Sequence, residues 1–139
     1  MNKMKTGIIA FLFLTSIAVS GCDKIPFLSD WLGMKGKMVF CVKYNPSEDI
    51  CENQGASFKT GKLTVLIDLY SGIGVDDVNI NITDVKTNKV INTFEFSVNN
   101  ALKKIYFENI PFEYPSQYRV SVLRPDGTVI ISNEVTIIN

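Results

Sequence analysis

The chain has 139 residues, 46% of them hydrophobic, with 14 basic and 14 acidic side chains and no histidine. That length holds a single core, so one domain is expected. The even charge balance, with Lys103-Lys104 as the only adjacent basic pair, excludes nucleic acid as a partner, because a phosphate backbone needs a basic stripe and neighbours on a strand point to opposite faces. Without histidine there is no Ser-His-Asp or Cys-His nucleophile and no histidine-bearing zinc site.

In chain order, Lys3 and Lys5 form a basic start, Gly7 to Ser20 is an uncharged stretch, and small residues follow. This is the three-part layout of a secretory leader. The stretch is shorter than the roughly 20 residues a spanning helix needs, so an uncleaved transmembrane anchor is the weaker reading. The run Val19-Ser20-Gly21-Cys22 resembles the lipobox of bacterial lipoproteins. That resemblance implies lipidation of Cys22 and cleavage just before it by signal peptidase II, leaving residues 1–21 as signal peptide, 22–36 as a lipidated tether and 37–139 as the domain. Two acyl chains on one sulfur exceed the threshold for stable anchoring. Asp23 resembles the inner-membrane retention signal of enteric-type lipoproteins, which implies the periplasmic face of the inner membrane in preference to the outer membrane. The mature chain then carries 12 basic against 14 acidic residues.

Within the tether, Pro26 suits the first position of a helical turn on which Phe27, Leu28, Trp31 and Leu32 share one face. Such a face lies on lipid headgroups or docks on the domain. With Cys22 assigned to lipid, Cys41 and Cys51 remain, and an oxidising periplasm makes them a disulfide. Their spacing is not CxxC and no histidine stands by to activate a thiol, so the pair is structural in this reading.

From residue 37 the hydrophobic period becomes two. Strands are expected at 37–44, around Leu63–Leu69, around Val78–Ile82, at Val90–Val98, near 103–109, around Tyr118–Val122 and over Thr128–Ile138. A long polar loop, 45–62, separates the first two. Lys86-Thr87-Asn88-Lys89 and Pro125-Asp126-Gly127 carry turn chemistry. Seven strands with no helix after residue 36 indicate an all-β fold, an antiparallel seven-stranded sandwich. The segments Ile105–Pro111 and Tyr118-Arg119-Val120-Ser121-Val122 resemble the corresponding region of immunoglobulin-like, fibronectin type III-like and transthyretin-like domains. That resemblance implies an Ig-like sandwich with Tyr118 as a tyrosine corner. Cys41 and Cys51 are too close in sequence to be the inter-sheet pair of antibody domains.

No catalytic signature appears, and no cofactor or metal is expected. Gly72-Ile73-Gly74 lacks the rest of a dinucleotide fingerprint. The acidic groups Glu48, Asp49 and Glu52, and Asp76-Asp77, lack the spacing of a calcium loop and read as solvated charges. Two loops are candidates for partner binding. Ser71–Val75 places Ile73 and Val75 on a glycine-flanked turn, and Pro111–Pro115 brackets Phe112 and Tyr114 with prolines that lower the entropy lost on docking. For both Phe112 and Tyr114 a place under the sandwich as a plug competes with a partner site.

These residues together describe a lipid-anchored interaction module without enzymatic activity. Its partners are the bilayer, through Cys22, and another envelope protein, in the manner of exclusion or immunity lipoproteins. The rival readings are an accessory lipoprotein of a secretion or pilus system, a small-ligand-binding or inhibitor lipoprotein, and a glycan hydrolase using the loop acids. A tether of about 14 residues spans at most roughly 50 Å, so any partner lies near the anchoring membrane.

Overall fold

The computed structural model describes residues 36–139, so Cys22, Asp23 and the apolar tether residues lie outside the described residues. Every regular element among the described residues is a strand: β1 (Gly36–Cys41), β2 (Lys43–Asn45), β3 (Ile50–Glu52), β4 (Ser57–Lys59), β5 (Gly61–Leu69), β6 (Asp77–Asp84), β7 (Lys89–Ser97), β8 (Lys104–Phe112), β9 (Ser116–Leu123) and β10 (Val129–Ile138). A three-stranded sheet, β1-β5-β8, faces a five-stranded sheet, β4-β10-β9-β6-β7, and β2-β3 form a separate hairpin. No helix among the described residues is long and apolar enough to cross a membrane.

Alternation places the core. Met38 and Phe40 from β1, Val65 and Ile67 from β5, and Ile105 and Phe107 from β8 meet Val78, Ile80 and Ile82 from β6 and Val120 and Val122 from β9 in one buried cluster. Strict alternation would turn Ile110 and Phe112 outward after Phe107. A register shift opposite Leu63/Val65 restores them to the core, and Asn109 absorbs it with φ 59°, a conformation asparagine tolerates better than most residues. The two sheets are also tied by Asn133, whose side-chain amide on β10 donates to the Met38 carbonyl of β1 at 2.8 Å.

The expected all-β class is present, and six of the expected strand regions coincide with β5 to β10. The count and the pairing differ. There are ten strands among the described residues, not seven, and the five-stranded sheet is mixed, because β4 runs parallel to β10 through Ser57↔Thr136 and Lys59↔Ile138. The expected strand 37–44 breaks at Val42 into β1 and β2, and the expected polar loop 45–62 contains β3 and β4. Three-residue strands carry too little periodicity to be read locally, and the partner of β4 lies far along the chain.

The turns follow their chemistry. Asp84 Oδ1 accepts the backbone N–H groups of Lys86 at 2.8 Å and Thr87 at 3.3 Å, while Asn88 takes φ 57°. At the last hairpin Arg124 N–H donates to the Thr128 carbonyl at 2.8 Å, and Gly127 supplies φ 90°.

Candidate interaction surface

The Pro111–Pro115 loop is built from the core outward. Phe112 is buried, 2% exposed, with its ring 5.6 Å from that of Tyr118. The Tyr118 hydroxyl donates to the Tyr114 carbonyl oxygen at 2.6 Å, which is the tyrosine-corner contact expected of Tyr118. Burial, and secondarily the charge of Asp84, push the Tyr118 hydroxyl above its ordinary pKa. The Tyr114 side chain is left 71% exposed on a backbone held from below. Of the two aromatics, Phe112 is therefore the plug under the sandwich and not a partner contact, whereas Tyr114 stands on the surface.

Beside this loop lies an open cleft of about 390 Å³ whose walls include Asp84, Ile91, Asn92, Glu113 and Tyr114. Ser116 Oγ donates to Asp84 Oδ2 at 3.1 Å, and Val85 N–H donates to the Gln117 carbonyl at 3.0 Å. These bonds lock the Asp84 turn to the start of β9. The opposite wall is the first half of β7, which among the described residues has a neighbouring strand only on its β6 side. Ile91 is the extra residue of a register shift between the pairs Ile82↔Asn92 and Thr83↔Val90, and both Val90 and Ile91 are exposed. Neither is singled out by periodicity. The one sign in the sequence is that adjacent Val90-Ile91 breaks the period of two, as a bulge does.

The second expected binding loop is corrected. Ile73 is 3% exposed and belongs to the core, and Val75 packs against that core partly buried. Two hydrogen bonds draw the loop down: Ile73 N–H to the Leu102 carbonyl and Gly74 N–H to the Asn100 carbonyl, both 2.9 Å. Gly72 meets the same neighbouring loop so closely that a Cβ there would stand 3.0 Å from the Asn100 carbonyl oxygen. The loop closes one end of the sandwich, which supplies Ile73 with a core that is not visible along the chain.

Cys41 and Cys51 are joined by a disulfide. It holds the β2-β3 hairpin over the outer face of the three-stranded sheet, where Cys41, Tyr44 and Leu66 make a second small cluster and the Tyr44 and Tyr106 rings lie 4.9 Å apart. At the hairpin tip, Asp49 accepts from the Tyr44 hydroxyl at 2.6 Å and from Lys104 Nζ at 2.9 Å and 3.0 Å. The Tyr44 hydrogen bond first, and then Lys104, hold the Asp49 carboxyl below its ordinary range. The same contact with Asp49 raises Tyr44 and Lys104. Asp76 and Asp77 are tied into the loop ends, Asp76 accepting from Asn100 Nδ2 and Asp77 from Ser97 Oγ, each at 3.0 Å. Among the described residues no group of three or more cysteines and carboxylates is placed to hold a metal ion.

No protein-family model and no curated protein matches the chain. Among solved structures, the chain is similar to the soluble domain of PmoD from Methylocystis sp. ATCC 49242 (Rockwell), with 12% identity and a TM-score of 0.43 over 72% of this chain and 88% of that one. It is also similar to an endonuclease/exonuclease/phosphatase from Beutenbergia cavernae DSM 12333, with 16% identity and a TM-score of 0.32 over 55% of this chain and 20% of that one. Both likenesses are remote, and nothing of those proteins' chemistry is carried over to this chain.

Proposed function

We propose that this protein is a lipid-anchored envelope lipoprotein, held by Cys22 and retained at the inner membrane by Asp23, whose β domain recognises another envelope protein. The exclusion or immunity type is the class this reading favours. The observation that carries it is Tyr114, a large aromatic exposed beside an open cleft on a loop whose backbone is already fixed by Tyr118 and by flanking prolines. An aromatic presented this way loses little entropy on docking, which is how interface anchors are built. Two facing sheets with a tyrosine corner support an Ig-like or transthyretin-like affiliation, while the parallel β4 and the count of ten strands depart from the seven-stranded pattern. The hydrolase rival needs a carboxyl with a raised pKa. Asp49 is shifted the other way and is neutralised by Lys104.

The test is photocrosslinking in the intact envelope from a probe at Glu113, with and without Tyr114→Ala. Truncating an interface anchor costs about 2 kcal/mol or more, which at subsaturating partner lowers the adduct more than about tenfold. The purified variant should keep the parent's melting temperature. An undiminished adduct in Y114A removes this cleft as the site.

A further inference from the structure

We propose that the end of the sandwich at which the chain enters β1 seats on the headgroup layer of the same bilayer that holds the lipidated Cys22, with Tyr70 and Leu102 in contact with lipid. This rests on the anchored reading above and adds an orientation to it. Gly36, the first described residue, pairs with Leu69 at the end of β5, so the chain arrives next to Tyr70. Leu69 N–H donates to the Lys103 carbonyl at 2.8 Å and Ile73 N–H to the Leu102 carbonyl at 2.9 Å, which clasps the loops after β5 and β7 into one pole. On that pole Tyr70 is 72% exposed and Leu102 47% exposed. Exposed Lys103 follows Leu102 in the chain.

The opposite pole carries the Pro111–Pro115 loop and the Asp84–Lys89 turn, since Gly61 pairs with Phe112 at the far end of β5. A nine-residue strand separates the two poles by about 26 Å at 3.3 Å per residue.

The position of the chain's arrival chooses the occupant. The pole carrying Tyr70 and Leu102 is joined to the lipid-bearing residue by the 13 residues 23–35, so it meets that bilayer at a high effective concentration. A contact too weak to hold a free protein is populated under those conditions. Tyrosine is favoured at headgroup depth, and a neighbouring lysine reaches phosphate while its stem covers apolar surface. Lys37, Lys103 and Arg124 stand among Asp68, Asp76 and Asp126 at this end of the strands, so the attraction comes from the apolar side chains and not from net charge. Seated this way, the domain presents Tyr114 and its cleft away from the lipid.

The experiment uses the full chain as a bacterial host processes it, mixed with vesicles of phosphatidylethanolamine and phosphatidylglycerol doped with acyl-brominated phosphatidylcholine. Trp31, the only tryptophan, is replaced in a W31F background, and an indole is introduced by Tyr70→Trp at one pole or Thr87→Trp at the other. Both positions are exposed, so neither change disturbs the core. Flotation is measured first. The expected result is that both variants float, that bromine quenches the indole of Y70W but not that of T87W, and that adding Leu102→Asp relieves the quenching. Vesicles that float with Y70W unquenched, whether that indole is wet or covered by the tether, or with both indoles equally quenched, overturn the seating alone. A chain that fails to float overturns the anchored reading and the seating with it.

Discussion

Tyr118→Phe isolates the bond that shapes the candidate surface. The ring is buried and packs on Phe112, and phenylalanine preserves that packing, so the change removes one hydroxyl and its 2.6 Å bond to the Tyr114 carbonyl. A net intramolecular hydrogen bond contributes about 1 kcal/mol, and the freed carbonyl sits on an exposed loop where water replaces the donor, which argues for about 1 and not 3 kcal/mol. For a domain near 100 residues that corresponds to a fall in melting temperature of roughly 4–6 °C. Amide exchange at Glu113, Tyr114 and Ser116 should accelerate while exchange in β6 stays slow. The alkaline limb supplies a second readout. Burial raises the Tyr118 pKa in the fold, so the folded state keeps a proton that the unfolded chain releases near pH 10. The corresponding stability is complete below about pH 10 and is lost as pH rises through the raised folded value. Y118F lacks that loss, whereas Tyr44, also raised, contributes to both proteins and cancels in the difference. Equal melting temperatures and parallel alkaline limbs would refute the view that this hydroxyl braces the loop.

Ile73→Asp should unfold the domain or cost about 3 kcal/mol or more, because it places a charge where the structure buries an isoleucine; a melting curve matching the parent would return Ile73 to the surface. Reducing the Cys41–Cys51 disulfide, which spans a sequence separation of 10, should lower stability in urea titrations by about 2–3 kcal/mol through loop-closure entropy. Exchange should rise first in β2 and β3, and a reduced protein with unchanged midpoint would show that the hairpin is held without the bridge.

Features that depend on near neighbours in the chain were legible from the residues alone. A period of two between turn residues located β5 to β10, because each side chain's face follows from its parity along a strand. Asp, Asn and Gly at the tight turns declared themselves through their own backbone preferences, as at Asp84, Asn88 and Gly127. Two cysteines left once Cys22 is read as the lipidated residue sufficed to expect the Cys41–Cys51 bridge. Tertiary structure alone decided whatever depends on contacts distant in sequence. Ile73 looked exposed because a glycine-flanked turn has no core within reach along the chain, and it is buried because the loop before β8 closes over the same end of the sandwich. The three residues of β4 became a strand only by lying parallel to β10. Shifts opposite Ile82/Thr83 and Leu63/Val65 changed the parity on which any local reading depends, turning Val90 outward beside Ile91 on one edge and returning Ile110 and Phe112 to the core on another. The candidate cleft exists only where β7 and the Pro111–Pro115 loop meet across the fold. Local preference chooses an element and its faces, while burial is set by which other elements arrive, and that information is spread over the whole chain.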